Sequence, residues 1–225
     1  MGYYIDLSSV SLEEYREKLR SSYVLPSRQI LKEKLDERFN YFSSIGIKNL
    51  QDLLQLLKDK KEVIELSKLV YFSLEYLVNL YRELNSFFPK PIKIKNIQIV
   101  PNEVVSSLEK AGIKDTIALF DKVKTPASRK SFAFETGISD SDLLKLTKLT
   151  DLSRIRWVGV TFACTLYESG YDTLEKVSKA NYTELYNRII QVNKEKNLYR
   201  GKIGLNDMRL CVNAAKEVPQ EIEYQ

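Results

Sequence analysis

The sequence predicts an all-α protein built from repeated helical hairpins, and three observations predict this. Apolar residues recur at spacings of three and four along most of the chain, which is the period of an amphipathic helix. Leu, Lys and Glu dominate the composition, and no alternating run of Val, Ile and Thr indicates a strand. The chain has only 8 glycines and 6 prolines, and most of the glycines stand where an apolar period ends.

Helix start and stop signals define the individual elements. Ser11 followed by Glu14 is the capping-box pattern at the start of a first helix, Ser11–Arg20. Pro26 suits the first turn of a helix, and the apolar period after it predicts one long helix that runs to Ser44. The other predicted helices are Asn49–Lys58, Glu62–Val70, Ser73–Leu84, Asn102–Lys110, Asp115–Val123, Ala127–Glu135, Ser139–Leu149, Thr161–Glu168, Thr173–Ser178, Thr183–Asn193 and Asn206–Glu217.

Glycines mark an internal repeat. The segments FSSIGIKNLQDLL and LEKAGIKDTIALF align without a gap around Gly46 and Gly112, and a more divergent copy, LYESGYDTLEKV, surrounds Gly170. Each copy reads as a helix, a glycine that closes it, an Ile or Tyr, and a polar residue that starts the next helix. We expect these glycines to adopt a left-handed φ, which glycine tolerates without a steric cost.

The repeats set the expected domain organisation. The stretch FFPKPIKIKNIQIVP is rich in proline and poor in helix formers, which is typical of a linker. The expected parts are an N-terminal helical arm (1–24), a first helical repeat (25–88), a linker (89–101), a second helical repeat (102–151), and a third repeat with C-terminal helices (152–225).

The composition argues against an enzyme. Histidine is absent, which removes the commonest general base and the usual catalytic zinc ligands. No phosphate-binding loop of the GxxxxGK type occurs either. From these two absences together we expect no cofactor, no metal and no small-molecule substrate. Cys164 and Cys211 stand among apolar neighbours and are predicted to be buried thiols. No apolar run is long enough to span a bilayer and no signal peptide is recognisable, so we expect a cytoplasmic protein without membrane contact.

One hairpin resembles a nucleic-acid-binding site. A helix-hairpin-helix that binds phosphate has the outline h-x-Gly-h-Gly, where h is apolar, and the second helix offers its unpaired N-terminal amides to the anion. The segment IRWVGVT matches this outline, except that Trp157 stands at the first glycine and only Gly159 is kept. Arg154 and Arg156 flank the hairpin and are expected to be exposed, and Thr161 opens the second helix. Either Trp157 stacks on a base or it is buried against the helices.

A basic stretch follows the third repeat. The segment NKEKNLYRGKIGLND carries Lys194, Lys196, Arg200 and Lys202 with an interleaved tyrosine, and its two glycines indicate a loop. Such a loop suits contact with a phosphate backbone, and a solvated connection is the alternative. The net charge of +5, from 35 basic and 30 acidic residues, is mild for a nucleic-acid-binding protein.

The chain resembles a bacterial family of unknown function, DUF4332, whose members consist of helix-hairpin-helix-like repeats. The matching segments are LEKAGIKDTIALF, ETGISDSDLLKLTKLTDLSRIRWVG, LYESGYDTLEKVSKANYTELYNRIIQVNKEKN and NAAKEV. The resemblance implies an all-α fold of tandem SAM/HhH-like repeats and brings no established activity. The function predicted from the sequence is therefore non-enzymatic binding of a DNA or RNA backbone through the third hairpin. The alternative is a protein–protein interaction scaffold whose hairpins only pack helices.

Overall fold

A computed structural model describes residues 2–225, and their regular structure is helical. Helices cover 63% of the chain. Among the described residues no β-strand forms, and only two isolated antiparallel bridges occur, between Ser11 and Asn49 and between Lys93 and Asp115. The prediction of an all-α protein is therefore confirmed.

The chain divides into two compact units. The N-terminal unit is Asp6–Phe87, and the C-terminal unit is Phe88–Gln225 together with the residues up to Ile5. The N-terminal unit has 3-10 helices at Leu7–Ser9 and Pro26–Lys32, and α-helices α1 (Leu12–Ser21), α2 (Leu35–Ser44), α3 (Leu50–Lys58), α4 (Lys60–Ser67) and α5 (Leu74–Asn85). The C-terminal unit has a 3-10 helix at Ile94–Asn96, and α6 (Asn102–Lys110), α7 (Thr116–Phe120), α8 (Pro126–Thr136), α9 (Asp140–Leu152), α10 (Val160–Glu168), α11 (Leu174–Ser178), α12 (Tyr182–Lys196) and α13 (Leu205–Glu217).

The predicted single helix from Pro26 to Ser44 is wrong. The chain forms the 3-10 helix there first, and Lys34 then takes a left-handed φ of 44° before α2 begins at Leu35. Such a φ costs a residue with a side chain about 1–2 kcal/mol. Contacts from elsewhere in the unit must therefore hold this break.

The buried Arg38 side chain supplies those contacts. Its Nη1 donates to the carbonyl oxygens of Ile30 (2.9 Å) and Glu33 (2.6 Å), and its Nε donates to the carbonyl oxygen of Tyr71 (2.7 Å). The guanidinium lies 3.7 Å from the centre of the Tyr76 ring. The two carbonyls that precede the break thus accept hydrogen bonds from a charged donor, and such bonds are stronger than those between neutral groups.

The C-terminal unit is organised around one hydrophobic core that runs from Ile92 to Val218. Each helix predicted for this part of the chain is present, with ends that differ by a few residues. The segment 89–101, predicted as a linker, contributes four buried side chains to this core, namely Ile92, Ile94, Ile97 and Val100. Irregular backbone can therefore still belong to a folded unit.

The three repeat glycines end their helices in the same way. Gly46, Gly112 and Gly170 have φ values of 89°, 79° and 86°, so their predicted left-handed conformation is confirmed. In each turn the amide of the next residue donates to the carbonyl five positions back: Ile47 to Phe42 (3.1 Å), Ile113 to Leu108 (2.8 Å) and Tyr171 to Leu166 (3.1 Å). This is the hydrogen bond of a Schellman motif.

Three residues after each of these glycines, a polar side chain caps the next helix. Asn49, Asp115 and Thr173 accept hydrogen bonds from the amides of Asp52, Ala118 and Lys176 at 2.9 Å, 3.0 Å and 3.2 Å. The three copies therefore share a turn and a helix start.

Candidate nucleic-acid interface

The third hairpin joins α9 to α10 and keeps a glycine-like backbone. Ile155 and Val158 are buried, and the Val158 amide donates to the Ile155 carbonyl (3.2 Å) to close the turn. Between them Trp157 has a φ of 67°, which is left-handed and rare for a bulky residue. The backbone conformation expected of the first glycine is thus present, with an indole side chain on it.

The start of α10 is open. Gly159 is the N-cap residue, and apart from its immediate neighbours in the chain no residue has a heavy atom within 4 Å of the point where a β-carbon would stand. Within residues 2–225 no side chain caps this helix, whereas the starts of α9, α11 and α12 are each capped by a side chain. Gly159 and Thr161 are both exposed. An anion can therefore approach the first-turn amides of α10, where the helix dipole favours negative charge.

Trp157 is 46% exposed, so the alternative of a fully buried tryptophan is wrong. The guanidinium carbon of Arg156 lies 4.5 Å from the centre of the indole ring. A cation at this distance attracts the ring electrons and helps to fix the orientation of the ring.

Arg154 is a structural residue, and the expectation that it is exposed is wrong. Only 2% of the residue is accessible. Its Nε donates to the carbonyl oxygen of Tyr3 (3.2 Å), Nη1 to Oδ1 of Asp151 (3.0 Å) and Nη2 to the carbonyl oxygen of Pro219 (2.8 Å). The guanidinium is thus committed to partners inside the unit, and it does not contribute a cation to the surface.

Arg156 is also buried, with 6% of the residue accessible, again contrary to the expectation. Its Nη2 forms an ion pair with the carboxylate of Glu217 on α13 (3.0 Å). Both arginines of the hairpin therefore hold it against the rest of the C-terminal unit. Neither supplies the exposed charge that the sequence pattern suggested.

Asp151 is the important residue of this region that the sequence pattern does not single out. Its carboxylate accepts hydrogen bonds from Arg154, from the Leu174 amide (3.1 Å) and from the Tyr224 hydroxyl (2.9 Å). Burial raises the pKa of the Asp151 carboxyl, and these three donors oppose that rise because they favour the ionised form.

The Asp151 carboxylate also completes the third repeat. In the first two copies the amide at the start of the second helix donates to a backbone carbonyl: Leu50 to Val10 (3.1 Å) and Thr116 to Ile92 (3.0 Å). In the third copy the equivalent amide, that of Leu174, donates to Asp151 instead. The carboxylate of Asp151 thus takes the place of the backbone carbonyl that accepts this hydrogen bond in the first two copies.

The exposed charge near the hairpin comes from the basic stretch. Lys194, Lys196, Arg200 and Lys202 are all exposed. The predicted loop begins later than expected, since α12 continues to Lys196 and ends at a left-handed residue, Asn197 (φ 48°). Lys194 and Lys196 therefore lie in the last turn of α12, and Arg200 and Lys202 lie in the loop that follows.

An aromatic contact brings this loop to the start of α10. The ring of Phe162, in the first turn of α10, packs edge-on against the ring of Tyr199 with 5.7 Å between the centres. Asn193 fixes Tyr199 through two 2.7 Å hydrogen bonds, one to its amide and one to its carbonyl. Lys196 pairs with Glu168 at the other end of α10. The basic stretch therefore lies along α10. Arg200 comes directly after Tyr199, the residue that contacts the first turn of α10.

A family model described as a domain of unknown function (DUF4332) matches residues 98–218, more than half of the chain. The chain belongs to this family. No curated protein and no solved structure matches the chain significantly. The DUF4332 region takes in the turns at Gly112 and Gly170, the hairpin and the basic stretch, and the Asp6–Phe87 unit lies outside it.

Over residues 2–225 no group of three or more metal-ligating side chains occurs, and no helix is both long and apolar enough to span a membrane. In the DUF4332 region both cysteines are buried, and burial raises the pKa of the Cys164 thiol to about 11 and of the Cys211 thiol to about 12. Such thiols are poor nucleophiles at neutral pH, because only the thiolate reacts.

Proposed function

We propose that this protein is a non-enzymatic, cytoplasmic nucleic-acid-binding protein. Its three glycine turns are helix-hairpin-helix-like repeats, and the third repeat binds the sugar–phosphate backbone of DNA or RNA. The binding surface consists of the exposed residues of the hairpin and of the basic stretch: Trp157, Gly159, Thr161, Lys194, Lys196, Arg200 and Lys202. Arg154 and Arg156 belong to its supporting structure.

The open start of α10 is the observation that carries the proposal. A phosphate needs several N–H donors and room for close approach. Gly159 offers that room because no residue beyond its immediate chain neighbours has an atom within 4 Å of its missing β-carbon. The Thr161 hydroxyl adds a donor on the same exposed turn.

The basic stretch supplies the charge that the helix start lacks. A helix dipole amounts to about half an elementary charge, so one uncapped helix binds phosphate weakly. The contact between Phe162 and Tyr199 holds Arg200 close to this helix start, and the two lysines of α12 lie on the same stretch. We therefore expect affinity to come mainly from these three cations and Lys202, as in other complexes dominated by phosphate contacts.

A titration with labelled oligonucleotides tests this proposal. Fluorescence anisotropy is measured for single-stranded and duplex DNA and RNA at two salt concentrations. We expect a dissociation constant below about 10⁻⁴ M at low salt and a steep loss of affinity at higher salt, because each neutralised phosphate releases a counterion. Replacing Lys194, Lys196, Arg200 and Lys202 by Ala should flatten the salt dependence by about one logarithmic unit for each phosphate that is no longer neutralised.

The control variant changes the same net charge elsewhere. Lys48, Lys58, Lys60 and Lys61 are exposed in the N-terminal unit, and their replacement by Ala should leave the salt slope almost unchanged. Equal losses of affinity in the two quadruple variants would mean that binding follows total charge and has no site at the hairpin. No binding by the wild type at low salt would contradict the proposal altogether.

An interaction scaffold is the second candidate, and one observation favours it. The segment from α4 to the start of α5 exposes several large apolar side chains, namely Ile64 (53%), Leu69 (36%), Val70 (77%), Tyr71 (41%) and Leu74 (57%). Contiguous exposed apolar surface marks protein interaction sites. If no nucleic acid binds and sedimentation shows self-association that is abolished by Val70→Asp with Leu74→Asp, the scaffold is the better description.

A further inference from the structure

Trp157 combines two features that are costly for a residue without a role. Its left-handed φ of 67° is sterically unfavourable for a bulky residue. The residue remains 46% exposed, so this cost is not offset by complete burial of the ring. Strained backbone of this kind is concentrated at functional sites, and here it presents the chain's single tryptophan beside the open start of α10.

The ring is also held in a fixed orientation. Arg156 lies 4.5 Å from its centre, and Glu217 holds that guanidinium through a 3.0 Å ion pair. Since Arg156 is itself buried, the ring rests on a rigid support. A preorganised aromatic ring loses little conformational entropy when a planar ligand stacks on it.

The same ring hinders a continuous duplex. Close approach of the hairpin backbone to a phosphate calls for glycine at this position. A bulky indole there makes such an approach harder for a duplex, whose bases are already stacked and cannot use the ring. An unpaired base, by contrast, presents an open π-face that stacks on tryptophan while its own phosphate reaches the neighbouring amides. The position and the exposure of Trp157 therefore favour single-stranded nucleic acid over a duplex.

We infer that Trp157 is a base-stacking platform and that the hairpin selects single-stranded nucleic acid. The base adjacent to the phosphate at the α10 start stacks on the exposed part of the indole. This inference rests on the proposed function, since stacking adds to the backbone contact and does not replace it. Stacking does not require a 2′-hydroxyl, so we expect single-stranded DNA and single-stranded RNA of the same sequence to bind comparably.

The chain's single tryptophan allows a direct test on the unmodified protein. Tryptophan emission is followed while single-stranded DNA, single-stranded RNA or duplex DNA is added, with anisotropy of the labelled oligonucleotide as an independent measure of binding. We expect both single strands to quench the emission as they bind, and the duplex to bind more weakly with little quenching. Quenching that saturates together with the anisotropy would place a base on the ring.

Two variants separate stacking from folding. Trp157→Asn removes the ring and suits the left-handed φ, and Trp157→Phe keeps an aromatic ring as the matched control. Circular dichroism checks that each variant is folded. Stacking of one base is worth about 1–3 kcal/mol, so Trp157→Asn should weaken single-strand binding by roughly 5- to 150-fold. Duplex binding should strengthen in the same variant, because the ring no longer hinders the approach of the duplex backbone. Trp157→Phe should retain most of the single-strand affinity.

The possible outcomes distinguish the inference from the proposed function. If oligonucleotides bind with the expected salt dependence but emission does not change and Trp157→Asn binds like the wild type, the stacking inference is wrong and backbone binding stands. If a duplex binds as tightly as the single strand, the inferred selectivity for single strands is wrong, and backbone binding again stands. If nothing binds by anisotropy, the proposed function and the inference both fail.

Discussion

At the scale of single residues, the buried guanidinium groups of Arg154 and Arg156 hold the third hairpin to distant parts of the C-terminal unit. The pattern around Trp157 and Gly159 depends on neighbours in the sequence, and the structure places both residues on the surface. The burial of Arg154 and Arg156 depends on distant partners, since Pro219 and Glu217 lie 65 and 61 residues further along the chain. A local charge pattern cannot reveal whether such a partner exists, because a buried arginine and a solvated one have the same neighbours in sequence.

The burial of Arg154 gives a prediction for stability that differs from the one for an exposed arginine. Arg154→Ala leaves the carboxylate of Asp151 buried without its ion-pair partner, which typically costs about 3–5 kcal/mol. Arg200→Ala, the matched control from the exposed loop, should change stability by less than about 0.5 kcal/mol. Urea unfolding followed by circular dichroism measures both. Similar small effects in the two variants would contradict a structural role for Arg154.

At the scale of elements, the sequence predicted most helices because their signals are local. Capping residues and the glycines at positions 46, 112 and 170 act within one turn of the backbone they define, and these turns have the expected conformation. The break at Lys34 was missed because neither glycine nor proline marks it. Arg38, which follows the break, donates to the carbonyls of two residues before it and to that of Tyr71, which lies 33 residues away from Arg38. Tertiary contacts here override a local helical pattern.

The left-handed conformation of Lys34 predicts the sign of a glycine substitution. In a continuous helix, Lys34→Gly would lower the free energy of unfolding by about 1 kcal/mol. At the observed φ of 44° the same change removes backbone strain, so we expect an increase of up to about 1 kcal/mol. Glu37→Gly in the first turn of α2 is the control and should lower stability by about 1 kcal/mol. Denaturant titration of the wild type and the two variants measures the free energy of unfolding. A loss of stability in both variants would contradict the left-handed break and indicate a continuous helix.

At the scale of the whole molecule, residues near the start of the chain help to complete the C-terminal unit. The Tyr3 hydroxyl bonds to the hydroxyls of Thr116 (2.8 Å) and Ser153 (2.7 Å), and the Tyr3 carbonyl accepts from Arg154. Ser153 opens the hairpin, so the same tyrosine supports the candidate interface. A composition-based division of the sequence cannot find this arrangement, because it assigns the first residues to a separate arm. The contacts span 113 and 150 residues and follow from tertiary packing.

This arrangement predicts that the Tyr3 hydroxyl stabilises parts of the C-terminal unit that lie far from it along the sequence. Tyr3→Phe removes two buried hydrogen bonds, and burial already raises the pKa of this phenol, so its neutral O–H is the form that donates. The Thr116 hydroxyl keeps the bond from the Ile92 amide (3.0 Å), so the expected cost is about 1–2 kcal/mol and not the larger penalty of an unpaired buried group. Tyr4→Phe is the matched control, because it removes the same hydroxyl from a neighbouring ring that is only partly buried, and it should cost less than about 0.5 kcal/mol. Hydrogen exchange of the α9 amides in the full chain measures the effect where it is expected, and equal protection in the two variants would show that the Tyr3 hydroxyl does not support the hairpin.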